Sequence, residues 1–196
     1  MTIIFDNLDA EGLPETRDEK EVYLIENGIE QKVGVTFEEL TIISIKDREV
    51  VRRKQTLTSE LLGNREIIVL ADRSTLLPIS FENFMEGVKT IEFNYPTPPQ
   101  HFDTFSVELI LRLLPLAYDY AVQLNSFNPV KQANQTIDIQ VVDLEKVIRS
   151  TGETAKAWKV KVYFGDTLQY YWVDRTHKEL LKQVSQIDET TTMEFR

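Results

Sequence analysis

The sequence predicts a mainly β protein, an unclosed antiparallel half-barrel of roughly ten strands wrapped on one central helix. Three observations carry this. Almost every apolar run alternates, or is too short for a helix. One stretch alone, DTFSVELILRLLPL from Asp103 to Leu116, has a helix start, a helical charge pair and a helix stop. Within it, Phe105, Val107, Leu109, Ile110, Leu111, Leu113 and Leu114 leave only a narrow polar stripe at Thr104, Glu108 and Arg112. A helix apolar around most of its circumference must be covered on most sides, so a curved sheet is expected to wrap it. Asp103 or Thr104 can cap its N-terminus. Glu108 and Arg112, four apart, can pair on an exposed stripe. Pro115 ends the helix, because it disfavours helical geometry in the residue before it.

At 196 residues the chain reads as one domain, 1–196. Residues 1–18 are an irregular acidic lead-in that begins with a short apolar strand, IIF. Val22 to Ile25 is a strand, and Asn27-Gly28 turns it as a type I′ hairpin into IEQKVGVTF, since both residues tolerate positive φ. Glu38 to Ile45 is a further strand, Lys46-Asp47-Arg48 a turn, and Glu49 to Ser59 a long polar strand. Gly63-Asn64 leads into the buried strand REIIVLAD, and Ser80–Phe84 and Val88–Tyr95 alternate again. The proline-rich YPTPPQHF then leads into the central helix, 103–115. Beyond it, Tyr118, Tyr120, Val122 and Leu124 share one strand face, and Ile137, Ile139 and Val141 another. Trp158, Val160, Val162 and Phe164 alternate with lysines in the clearest half-buried strand. Gly165-Asp166 turns it into TLQYYWVD, and Arg175–Lys178 turns that into ELLKQVSQI. The tail, 188–196, alternates weakly and is expected to pair at a sheet edge.

Composition narrows the function by exclusion. With 22 basic against 32 acidic side chains the net charge is −10, which argues against a nucleic-acid partner. The one basic cluster, Arg48 with Arg52, Arg53 and Lys54, alternates along a strand and reads as solvated on both faces. Absence of cysteine removes disulfides, thiolate catalysis and cysteine-bound zinc. No apolar run is long enough to span a membrane as a helix. The first residues lack the pattern of a signal peptide. The expected location is cytoplasmic if Met1 is the native start, and periplasmic or extracellular if a leader has been trimmed.

No residue cluster identifies a reaction. His101 and His177 lack a second ligand at metal spacing, no serine sits in a glycine-flanked elbow, and the seven glycines form no phosphate cradle. Asn7, Asp9, Glu11, Gly12 and Asp18 match a calcium loop only loosely; strands flank them and Pro14 interrupts, so a solvated acidic turn is favoured. No catalytic residue, cofactor or metal is assigned.

The C-terminal half resembles a bacterial family of unknown function with the half-barrel of the LolA and LolB lipoprotein carriers. The resemblance rests on Leu114-Pro115-Leu116 ending a leucine-rich helix, on Tyr171-Trp172-Val173-Asp174, on Leu180-Leu181, and upstream on Asp72–Pro78. It spans roughly residues 57–187 and implies an unclosed barrel around a helix, with a hydrophobic cavity between them.

The aromatics carry what signal remains. Phe105, Trp158, Phe164, Tyr170 and Trp172 either fill the core or line such a cavity. The expected function is a non-enzymatic carrier or sensor of an apolar or lipid-like ligand, held without a charged anchor. Phe105, Leu109, Leu113, Trp158 and Trp172 would lie nearest to it. One alternative is a structural or adaptor domain binding a protein through its sheet edge, or through the tail. A second is a cryptic enzyme whose carboxylates meet only in space.

Overall fold

The computed structural model describes residues 8, 10–97, 99–149 and 151–196. Ile3–Phe5, Asn7, Asp9 and Pro98, named above, lie outside these.

The described residues form a single sheet of thirteen strands with one short α-helix. In chain order the strands are β1 (Thr16–Glu26), β2 (Ile29–Ile45), β3 (Arg48–Thr58), β4 (Arg65–Asp72), β5 (Pro78–Met85) and β6 (Val88–Asn94). After the linker come β7 (Phe102–Asp103), a 3-10 turn at Thr104–Ser106 and α1 (Val107–Leu113). The remaining strands are β8 (Ala121–Asn128), β9 (Ala133–Ile148), β10 (Thr154–Phe164), β11 (Thr167–Asp174), β12 (Leu180–Gln186) and β13 (Thr191–Phe195). Their spatial order is β6-β5-β4-β3-β2-β1-β13-β12-β11-β10-β9-β8-β7. All neighbours are antiparallel except the two-residue β7–β8 pair.

The mainly β, unclosed architecture read from the sequence holds, with more strands than expected. β1 begins six residues before Val22, and the two strands predicted over 29–45 are one strand of 17 residues. Asn27 and Gly28 both have positive φ, 51° and 79°, as the hairpin requires. Gly34 sits beside a β-bulge, and a Cβ there would lie 2.5 Å from the Thr58 carbonyl oxygen. Glycine is what lets β2 approach β3 so closely.

The tail does not pair at an edge. Its strand, β13, lies mid-sheet between β1 and β12 and joins the N-terminal strands to the C-terminal ones. Weak alternation had suggested an edge, but Met193 pairs with Leu24 on one side and Ser185 on the other, and Glu194 with Tyr23 and Val184. The true edges, β6 and β7, flank a seam that aromatic rings close. Phe93 stacks on Phe127 at 4.9 Å, and Tyr95 meets Phe127 edge-on at 5.9 Å.

The helix lies inside this sheet. Asp103 caps the 3-10 turn, its Oδ1 accepting from the Phe105 N–H at 2.6 Å. Leu114, held extended before Pro115, ends α1. The regular α-helix is therefore shorter than the span 103–115. Glu108 and Arg112 do not form the predicted exposed pair. Enclosed by the sheet, α1 has no solvent side, and its charged stripe meets charges on the strands instead.

Consecutive antiparallel turns alternate between the two ends of the sheet. At one end Leu8, Ala10, Leu13, Leu76, Leu114, Leu116 and Trp158 join the core around Leu109, Ile110 and Leu111. The core is packed at that end, although a smaller cleft opens among the turns β9–β10 and β11–β12. Among the described residues no helix is long and apolar enough to cross a membrane.

Candidate functional site

At the other end, beyond the start of the helix, the interior is not filled. A cavity of about 530 Å³ opens among the turns β3–β4, β5–β6, β8–β9, β10–β11 and β12–β13. Leu57, Leu62, Ile67, Met85, Phe105, Phe164, Met193 and Phe195 supply its apolar wall. Exposed apolar side chains, Ile29, Leu61, Val88, Val130 and Ile187, ride on or beside the turns at this same end.

The cavity floor is charged. Arg53, only 3% exposed, points inward from β3. It donates to Glu38 through Nε at 2.7 Å and through Nη2, to Glu108 through Nη2, and to the Phe105 carbonyl through Nη1. The sequence reading placed Arg53 on a solvated strand, and that is corrected here. Its neighbours do behave as expected: Arg48 pairs with Asp72, Arg52 with Glu39 and Lys54 with Glu66 at the surface. Strand parity puts Arg53 on the inner face, and the partner that makes burial tolerable, Glu108, lies 55 residues away.

Behind Arg53 and Glu38, Lys20 and Arg112 extend the cluster towards a second, smaller cleft of about 230 Å³. Arg112 donates through Nε to the Lys178 carbonyl at 2.9 Å. Burial raises the pKa of Glu108, which Arg53 only partly offsets. Burial also pushes Glu38 up, but the charge and hydrogen bonds of Arg53 outweigh it, and its pKa is held below the usual range. Burial lowers the Lys20 pKa. Arg53, drawn by both carboxylates, keeps its proton more firmly than a free arginine despite burial. Tyr171, fully buried beside Glu108, donates to Gln169 and is driven well up by burial.

Beside the helix start, Tyr95 donates to Asp103 Oδ2. Burial raises the Asp103 pKa to about 6 against the pull of that bond and of the Phe105 N–H.

Of the five residues expected around a ligand, Phe105 alone lines the cavity, its ring 4.9 Å from Phe81. Leu109 is wholly buried and Leu113 half-buried in the packed core. Trp158 belongs to that core as well, against Tyr118 at 5.1 Å. Trp172 lies on the opposite face of the sheet. It pairs with Lys159 while Trp158 pairs with Val173, and period-two alternation separates the two indoles. Its Nε1 donates to Glu145 Oε2 at 2.7 Å, and Lys159 and Lys182 stand 5.1 Å from the ring centre.

His101 and His177 are not brought together; His177 Nδ1 lies 3.5 Å from Asp174 Oδ1 and 3.2 Å from Arg149 Nη2. Among the described residues no group of three histidines or carboxylates is placed to hold a metal ion. Of the loose calcium-loop residues, Glu11 and Gly12 lie in a 3-10 turn and Asp18 in β1. Sequence reasoning missed Arg53, Glu38 and Lys20. The available signal was the odd strand position of Arg53, since charges at both parities of a half-buried strand require one of them to be inside.

No curated protein matches this chain. Among solved structures it is similar to a β-barrel-like protein of domain of unknown function DUF1849 from Brucella abortus. That likeness has a TM-score of 0.57 and 11% identity, and it covers 96% of each chain. At that identity it shows the fold alone. A family profile described as protein of unknown function (DUF3108) matches residues 82–196, from β5 to the end of the chain. The match spans more than half of the sequence, and the chain belongs to that family.

Proposed function

We propose that the chain is a non-enzymatic binding protein, a carrier or sensor that holds an apolar or lipid-like ligand in the open-end cavity. One observation carries the reading. Natural interiors are close-packed, yet about 530 Å³ beyond the helix start stays open between apolar walls. That volume falls within the range of roughly 300–1,000 Å³ usual for small-molecule sites. Each methylene seated against those walls contributes about 0.8 kcal/mol. The exposed apolar residues around the mouth support the same reading, since such patches favour contact with apolar matter. So does the resemblance to the lipoprotein-carrier half-barrel.

Fluorescence titration with a neutral hydrophobic dye tests it. Wild-type protein is expected to bind one dye per chain, and Leu57→Trp or Met193→Trp, which fill the cavity, to bind it at least about tenfold more weakly. Dye binding that both folded variants retain in full would overturn the reading.

A specific observation favours a second reading. Two half-buried acids, Glu38 and Glu108, meet only in space around Arg53, with their titrations driven apart, Glu108 at the floor of the cavity and Glu38 on the smaller cleft behind it. Such a pair is the arrangement a carboxylate-based enzyme would use. Turnover in a broad hydrolase screen, abolished by Glu108→Gln, would establish it. The adaptor reading has less to draw on, because β13 is paired on both sides and the sheet edges face the aromatic seam.

A further inference from the structure

We infer that the ligand of this cavity is an amphiphile with an anionic head, its head held by Arg65 and Lys131 and its chain by the apolar wall. The inference rests on the binding reading above and names the ligand class.

The chain as a whole carries a charge of −10, so an unassigned cation should find a carboxylate easily. Most do, in ion pairs across the strands. The cavity reverses this balance. Its lining includes three cations, Arg53, Arg65 and Lys131, against one carboxylate, Glu108, which Arg53 already occupies.

Among the described residues neither Arg65 nor Lys131 forms an ion pair. Arg65 is half-buried on β4. Its Nε donates to Asn83 at 2.8 Å, and its guanidinium stands 5.9 Å from the centre of the Phe105 ring. Burial lowers its pKa with no carboxylate to offset the cost. A partly buried guanidinium without an anion is unfavourable unless something supplies one.

A third donor lines the same cavity. It is Gln135, on β9, and its Nε2 is buried without a hydrogen-bond partner. Buried amide donors are nearly always satisfied. An oxyanion is the chemistry that would meet a guanidinium, an ammonium and an amide N–H together, and charge-assisted bonds to such a group are the strong ones. Leu57, Leu62, Met85 and Met193 lie on the same cavity and would hold the chain.

A head-group series at fixed chain length tests this. Displacement of a neutral hydrophobic dye is measured with dodecyl phosphate, dodecanol, dodecyltrimethylammonium and inorganic phosphate, all below micelle-forming concentrations. Dodecyl phosphate is expected to act at about tenfold lower concentration than dodecanol or the cationic homologue. That gap should close to within about twofold in Arg65→Gln/Lys131→Gln. If the double variant does not fold, Lys131→Gln alone should narrow the gap, and added salt should weaken dodecyl phosphate while sparing dodecanol.

Equal displacement by all three dodecyl compounds would overturn the anionic head and leave the binding reading standing. Inorganic phosphate acting as well as dodecyl phosphate would overturn the amphiphile, because the chain would then contribute nothing. Displacement by none of them, with no dye bound at all, would overturn both.

Discussion

The two ends of this half-barrel are built from the same hairpins and treat the helix differently. At the closed end Leu114, Leu116, Leu76 and the N-terminal Leu8, Ala10 and Leu13 seal the core around α1. At the open end the helix stops short, and the side chains at its start, Thr104, Phe105 and Glu108, border a cavity. Between the two lies the ion cluster of Arg53, Glu38 and Glu108. The contrast shows how one short helix inside a large sheet can fill only part of the interior. What it leaves unfilled is polar below and apolar around the wall.

The boundary should break hardest. Arg53→Met leaves Glu38 and Glu108 buried together without their cation, and breaking a buried pair this way costs about 3–5 kcal/mol. Urea unfolding is expected to show that loss, and to show much of it restored when Glu38→Gln and Glu108→Gln are added. An unchanged deficit in the triple variant would mean that lost packing, not unpaired charge, sets the cost.

The next largest effect compares the ends directly. Ile110→Ala at the packed end should cost about 2–5 kcal/mol. Leu57→Ala removes less contact, because one side already faces open space, and should cost under about 1.5 kcal/mol. Equal costs at the two sites would remove the distinction between the ends.

Two aspartates sharpen the contrast through pH. At the closed end burial raises Asp72, but bonds from Ser74, Thr75 and Arg48 prevail and bring it to about 2. Its stabilisation is present above the ordinary aspartate value of 3.8 and is lost as pH falls from there towards 2. Asp103, with fewer donors and deeper burial, is raised to about 6. The native state then holds the Asp103 proton more tightly than the unfolded chain. Its contribution is complete below pH 3.8 and is lost as pH rises to about 6. Urea midpoints across this range should lose their upper slope in Asp103→Asn and their lower slope in Asp72→Asn. A midpoint profile of Asp103→Asn that parallels wild type above pH 4 would contradict the assignment.

The smallest effect is expected at Trp172. On the outer face, Trp172→Phe removes one hydrogen bond to Glu145 and should cost about 1 kcal/mol. It should leave dye binding at the wild-type level. A marked loss of binding would place this indole at the cavity after all.

Local chemistry made much of the fold legible in the sequence. Asn27-Gly28 and Pro115 act through their own backbone preferences, and the alternation of Trp158, Val160 and Val162 reports one buried face. The candidate site was less legible, because its parts are assembled by register. The register of β10 against β11 is set across the Gly165-Asp166 turn, which puts Phe164 opposite Thr167 and Trp158 opposite Val173. Counting along one strand could not reveal that Trp172 pairs with Lys159. Glu108 and Arg112 looked like a surface pair because their spacing says nothing of what surrounds the helix. Arg53 looked solvated because its partners come from β2 and α1. The tail looked like an edge because it alternates only weakly, and the closing topology is what puts β13 mid-sheet.

Amide hydrogen exchange, compared segment by segment between free and dodecanol-loaded protein, tests the difference between the two ends most directly. The structure predicts added protection over residues 57–67, 104–108, 128–135 and 164–169, which line the cavity. It predicts none over 114–120 and 175–179 at the packed end. Protection confined to the packed end, or no change anywhere at saturating dodecanol, would contradict the account.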